Sequence, residues 1–240
     1  MDSVILFLLS GGFVLVIYLI RSLSYQNRTL FKEHRSLLLV IAHPDDECMF
    51  FGPVITSLVE SGVNVHILCL SAGNYYGQSH VRSQEFINSC TALGVKESNC
   101  QLVDDPRLPD HPRIEWDEEC IIGYISQYIT QYNVSALLTF DKLGVSGHSN
   151  HISIYQAVSK HRWPHVIPYQ LITVSLFRKY ISVFDLFIAK AKNENIFYCS
   201  FSSMAKPYKA MFLHKSQLMW FRYLYLMFSR YMIFSSIEEI

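Results

Sequence analysis

The chain has 240 residues, half of them hydrophobic and only 17% charged, with 20 Lys and Arg against 20 Asp and Glu. A zero formal charge excludes the general basic field that attracts nucleic acid, so no nucleic-acid partner is expected. The size suits one α/β domain with a short appendage, and the apolar balance calls for a membrane segment.

Residues 4–20 carry no charge. As a helix they span about 26 Å, near the lower limit for a bilayer. A snorkelling Arg21 extends the span to residue 23. A cleaved signal peptide is the rival reading, but only the α-amino group and Asp2 precede the run and no clear small-x-small cleavage site follows it. Arg21, Arg28, Lys32 and Arg35 lie on the carboxyl side, which places the main domain in the cytosol by the positive-inside rule. The six cysteines show no C-x-x-C spacing; a cysteine-based zinc site is not expected, and buried free thiols suit a reducing compartment.

Residues 24–35 read as a linker. Continuous apolar runs at 36–42, 63–70, 134–140 and 170–176 predict strands buried on both faces, with a short one at 100–103. Helical segments are predicted at 47–60, 80–93, 115–131 and 148–161. This alternation predicts an α/β fold: a Rossmann-like, mostly parallel sheet flanked by helices, after an N-terminal transmembrane helix. The expected division is an anchor over 1–23, a linker over 24–35, a main domain over 36–203 and an aromatic, basic helical segment over 204–240. Lys206, Lys209, Lys215, Arg222 and Arg230 are interspersed in that last segment without acids up to residue 234. It suits either a bilayer interface or a core-packing helix.

In open α/β sheets function lies beyond the carboxyl ends of the strands. The first apolar run ends in Ala42-His43-Pro44-Asp45-Asp46-Glu47. Pro44 stops the strand, and the acids fall where a helix dipole favours negative charge, so helix capping competes with chemistry as their explanation. The run ending at Phe140 leads into Asp141 and then His148-Ser149-Asn150-His151. Two histidines three apart are weak signs alone, because satisfied surface or core histidines are common. Two His and a carboxylate from neighbouring strand ends are ligands for a catalytic metal with open positions.

This pairing of A-H-P-D-D-E at 42–47 with H-x-x-H at 148–151 resembles the LmbE-like de-N-acetylase family. The stretches 137–151 and 214–232 resemble its eukaryotic branch, which deacetylates N-acetylglucosaminyl phosphatidylinositol in glycosylphosphatidylinositol-anchor synthesis. The resemblance implies a hydrolase with a Zn²⁺ site, formed by His43, Asp46 and His151; the donor set also accepts Fe²⁺. It implies Asp45 as general base and His148 as the group assisting the oxyanion. Arg82, in a G-x(n)-R-x-x-E stretch, is implied to touch the substrate, though a surface pair with Glu85 accounts for it equally. Asp141 and His214 are candidates for the sugar pocket, and Glu47 for a helix or supporting residue. Relatives often read H-P-D-H where this chain has His-Ser-Asn-His, so Asn150 cannot supply a carboxylate. The implied partners are a glycolipid and a membrane, and the implied location is the endoplasmic reticulum membrane, single-pass, with the catalytic domain on the cytosolic side. The rivals are deacetylation of another N-acetylglucosaminyl conjugate, an Fe(II) oxygenase that would use Asp45 as ligand, and a non-catalytic membrane subunit.

Overall fold

The computed structural model of the chain describes residue 31 and residues 33–240. Residues His34–Ile240 form one compact unit, distinct from residues 1–33. The expected anchor over 1–23 lies outside the described residues, as does most of the expected linker. Among the described residues no helix is long and apolar enough to cross a membrane.

In chain order the elements are β1 (Ser36–Ile41), α1 (Asp46–Met49), α2 (Gly52–Glu60), β2 (Asn64–Cys69), α3 (Ser79–Leu93), β3 (Cys100–Leu102), α4 (Glu118–Tyr132) and β4 (Ala136–Phe140). There follow α5 (Gly144–Gly147), α6 (Ser149–Lys160), β5 (Ile167–Leu171), α7 (Leu176–Tyr180), α8 (Asp185–Ala191), β6 (Asn195–Tyr198), α9 (Lys206–Leu213), α10 (Trp220–Phe228) and β7 (Phe234–Glu239). The sheet order is β3-β2-β1-β4-β5-β7-β6. The first five strands are parallel, and β7 runs antiparallel to both neighbours. The mixed α/β sheet is the expected one. Leu37 to Ile41 are buried with no more than 1% exposure, because a central strand covered by helices on both faces has no solvent side.

Strand β1 pairs with β2 on one side and β4 on the other. Chain order reverses between β1 and β4, so the crevice opens there, and the loops after these two strands flank it.

Strand β6 and helix α8 are not predicted from the sequence, and three further regions differ from its reading. The helix predicted over 47–60 is broken into α1 and α2, since Pro53 stands in the first turn of α2 and cannot donate to a continuous helix. The strand predicted over 170–176 lies at Ile167–Leu171, and a helix begins at Leu176. Pro168 is tolerated in it because its carbonyl takes the Ile240 N–H, so its missing donor faces β7 beyond the paired stretch. The C-terminal segment 204–240, expected to be helical, holds α9 and α10 but ends as strand β7. Its serines hid it: Ser235 Oγ donates to the Phe50 carbonyl at 2.8 Å and Ser236 Oγ to Glu194 at 2.6 Å, so both are buried yet satisfied.

A buried ionic group ties α7, α8 and the last strands together. Asp185 receives Arg178 at 2.7 and 3.0 Å and also the fully buried Arg230. Glu194 receives Arg178 at 2.9 Å. Removing one member leaves a buried charge uncompensated. Asp185→Ala is expected to cost about 3–5 kcal/mol, read as a lower urea midpoint. Burial raises the Glu194 carboxyl, but Arg178, Ser236 and Arg230 outweigh it and hold it below its ordinary 4.5. A depressed folded-state value stabilises above the unfolded value and is lost as pH falls through the folded one. Glu194→Gln therefore flattens the decline of stability with pH on the acid side of 4.5.

Candidate active site

The loop after β1 curls back on itself. Asp46 Oδ2 accepts the backbone N–H groups of Ala42 at 3.1 Å and His43 at 2.8 Å. That leaves Oδ1 pointing at His151 Nε2, 3.3 Å away. The His43 and His151 nitrogens are sorted by their other contacts. His151 Nδ1 donates to the Gly144 carbonyl at 3.0 Å, which turns Nε2 toward Asp46, buried without a hydrogen-bond partner. His43 Nε2 faces Asn150 Oδ1 at 3.0 Å and Asp110 Oδ1 at 3.2 Å, both acceptors. Its Nδ1 is left toward Asp46, 3.8 Å from Oδ2. Burial, foremost, and the neighbouring His151 lower the pKa of His43, which keeps it neutral despite the acids beside it. Burial raises the Asp46 carboxyl, but His151 and His43 overcome this and hold it well below the usual range.

This donor set fits a divalent cation. His151 Nε2 and Asp46 Oδ1 face each other at 3.3 Å with Nε2 otherwise unpartnered, an arrangement that a positive charge shared between them stabilises. Two ligand atoms about 2.1 Å from one tetrahedral zinc are themselves about 3.4 Å apart, close to that separation. The three imidazoles of His43, His148 and His151 bring ring nitrogens within 4.8 Å of one another. A second group, Glu47, Cys48 and His214, is equally close. Its atoms are largely committed to one another: His214 Nε2 bonds Glu47 at 2.6 Å, and the Cys48 thiol, its pKa pushed well up by burial, donates to the Asp45 carbonyl at 3.2 Å, while His214 Nδ1 is buried without a partner.

Supporting contacts hold these ligands in place. Arg82 Nη1 bonds Asp110 at 3.1 Å and the Gly73 carbonyl at 3.0 Å, and Nη2 bonds the Pro44 carbonyl at 2.6 Å. Gly73 has φ +72°, and a Cβ there would meet the guanidinium at 2.5 Å. Arg82 is thus buried with both terminal nitrogens held by protein groups, its Nε remaining unpartnered. The surface pair with Glu85 does not form, since Glu85 takes Ser216 instead. Asp110 was missed in the sequence; it follows β3, where the strand-end rule applies, but lies in no recognised motif. Asn150 keeps a supporting role without a charge, because its Oδ1 also accepts from His111 N at 3.2 Å and its Nδ2 donates to the Ile114 carbonyl at 2.8 Å.

Asp141 accepts from Leu143 N, Gly144 N and both donors of Thr173. It fixes the loop whose Gly144 carbonyl orients His151, rather than offering free oxygens to a sugar. His214 is fully buried on Glu47; it lies beneath the first motif, not at its mouth.

Asp45 stands beside the cluster with φ 112°, a strained conformation for a non-glycine residue. Its carboxylate pairs with Arg222 Nη2 at 2.9 Å. Burial, foremost, and Asp46 raise its pKa, against Arg222 and Arg82. Burial and the rings of His43 and His151 push His148 down to about 4, so it is neutral at pH 7. Its Nδ1 accepts the Asn150 N–H at 3.3 Å, which assigns the proton to Nε2.

Fold and site together place the chain among the LmbE-type α/β proteins. The solved N,N'-diacetylchitobiose deacetylase of Pyrococcus horikoshii shares the fold with a TM-score of 0.64, covering 92% of this chain and 90% of that one at 17% identity. The family model described as GlcNAc-PI de-N-acetylase matches residues 38–161. An N-acetylglucosaminyl-phosphatidylinositol de-N-acetylase of Bos taurus is 38% identical over 207 residues, 84% of this chain and 82% of that one. A probable enzyme of the same name in Schizosaccharomyces pombe is 39% identical, covering 82% and 84%. The chain belongs to the GlcNAc-PI de-N-acetylase family.

Proposed function

We propose that this chain hydrolyses the N-acetyl amide of N-acetylglucosaminyl phosphatidylinositol, giving glucosaminyl phosphatidylinositol and acetate in glycosylphosphatidylinositol-anchor synthesis. His43 Nδ1, Asp46 Oδ1 and His151 Nε2 would hold one divalent cation, Zn²⁺ or Fe²⁺. The observation that carries this is the buried, unpartnered Nε2 of His151 facing a carboxylate oxygen at 3.3 Å, in a chain of this family. Residues 1–23 would anchor it in the endoplasmic reticulum membrane with the domain in the cytosol. That side agrees with the cysteines, all six of which are free.

A bound cation would polarise the acetyl carbonyl and lower the pKa of the attacking water. Asp45 takes a proton from that water and returns one to the leaving nitrogen as the C–N bond breaks. His148, neutral, donates its Nε2–H to the developing oxyanion. Arg82 and Asp110 act through His43, as positioning residues. Asp110→Ala should weaken metal binding about 10–100-fold, the usual effect of losing a carboxylate behind a ligating histidine, measured by competition with a chelating dye.

Incubating the purified full chain with N-acetylglucosaminyl phosphatidylinositol tests the substrate. Acetate release is expected. Acetate from a soluble N-acetylglucosamine conjugate but none from the lipid would overturn the substrate assignment.

A further inference from the structure

Besides Arg178, which is spent on Asp185 and Glu194, helix α7 carries Lys179 inward, and α10 carries Arg222. Lys179 of α7 is nine-tenths buried. Its Nζ stands 5.6 Å from the Tyr225 ring centroid and 5.8 Å from those of Phe50 and Tyr180. Aromatic faces accommodate an ammonium but do not neutralise it, and among the described residues no carboxylate pairs with it. Arg222 of α10 is close enough to lower the Lys179 pKa, after burial itself. Arg222 gives Nη2 to Asp45, while its Nε is buried with no partner. Asp45 compensates Arg222, but among the described residues no carboxylate reaches Lys179, so the pair carries a positive charge its protein surroundings leave unneutralised and suits a further anion. Both lie beside the reaction centre: Arg222 touches Asp45, and Phe50, under Lys179, also packs 6.0 Å from the His151 ring.

The outward faces of the same helices add a second, independent observation. Leu176 and Phe177 of α7 are 73% and 70% exposed, and Trp220 and Met227 of α10 are 74% and 65% exposed. Tyr180 and Tyr225 join the two helices at 6.4 Å. Apolar side chains at this exposure are usual where a protein meets acyl chains. From residue 142 to 237 the sequence has twelve Lys and Arg but only two acids, Asp185 and Glu194, and both acids are spent on Arg178 and Arg230. A stretch of net positive charge that includes both helices suits an anionic lipid surface.

We propose that Lys179 and Arg222 form a phosphodiester-binding pair that takes the inositol phosphate of a membrane lipid while its acyl chains remain against α7 and α10. The pair selects a phosphorylated substrate over a neutral glycoside. This rests on the deacetylase reading for the identity of the lipid, not for the site itself.

The test uses the purified full chain and two probes. The first, glycerophosphoinositol, has neither an amide nor acyl chains, and its binding is followed by ligand-observed nuclear magnetic resonance, with inositol as the phosphate-free control. The wild type should bind glycerophosphoinositol and not inositol. Inorganic phosphate should compete weakly. Lys179→Met, which keeps the apolar stem within its aromatic surroundings, should weaken binding about tenfold or more, the scale of one charged hydrogen bond. Lys179→Arg should restore most of it, and both variants should keep the wild-type thermal midpoint. Equal binding by the wild type and Lys179→Met, or loss in Lys179→Arg as well, overturns the proposal. The second probe is acetate release from N-acetylglucosaminyl phosphatidylinositol in vesicles and from N-acetylglucosaminyl inositol. Lys179→Met should raise KM about tenfold on the first and leave the second unchanged; an equal loss on both overturns the proposal. Glycerophosphoinositol binding that depends on Lys179, with no acetate from either substrate, would reject the deacetylase reading and leave the anion site standing.

Discussion

Asp45→Asn is expected to bind its metal as the wild type does and to release acetate about 10²–10⁴-fold more slowly, the range for a lost general acid–base group. The side chain is nearly isosteric and can still accept from Arg222, so the loop keeps its shape. Only the capacity to take a proton disappears. Asp45 suits that task because its neighbours oppose one another: burial and Asp46 raise its pKa, whereas Arg222 and Arg82 lower it. Its positive φ turns it off the line of the strand, one residue before Asp46, whose Oδ2 is held by the loop backbone. Adjacent acids thereby take different work. Acetate release by Asp45→Asn within threefold of the wild-type rate would remove Asp45 from the reaction.

His151→Ala should have the other large effect. Asp46 Oδ1 then loses the group facing it at 3.3 Å, and His43 and Asp46 remain as two ligands where a catalytic site needs three. Metal affinity should fall by more than the roughly 10–100-fold expected at Asp110, and turnover should fall to that of the metal-free chain. Added metal should not restore it. The fold should survive: His151 is one side chain on the first turn of α6, stacked on Phe140 at 3.9 Å, and the loss resembles a modest core truncation of about 2–4 kcal/mol. Undiminished metal binding would show that the ion rests on other residues, His148 foremost.

The sheet and the two motifs were legible because they follow strong local rules. Continuous apolar strands at 36–41 and 136–140 admit few alternatives, and both end in loops rich in ligand-type side chains. What the sequence concealed was tertiary. Nothing local to Asp110 connects it to His43, 67 positions earlier. His214 reads as a surface or pocket histidine until Glu47 is found 167 residues away in sequence and 2.6 Å away in space. Arg82 is four residues into α3, where a helical arginine ordinarily faces water, yet three protein acceptors draw it inward. Strand β7 was hidden for the same reason, since Ser235 and Ser236 are buried only because distant acceptors meet them.

The proposed hydrolysis depends on one cation shared by His43, Asp46 and His151. Its most direct test is acetate release from N-acetylglucosaminyl phosphatidylinositol measured against metal bound per chain, first after exhaustive chelation and then as Zn²⁺ or Fe²⁺ is returned stepwise. Turnover should vanish with the last equivalent removed and return in proportion, reaching its plateau at one ion per chain. Full turnover by chelated protein that retains no ion would contradict it.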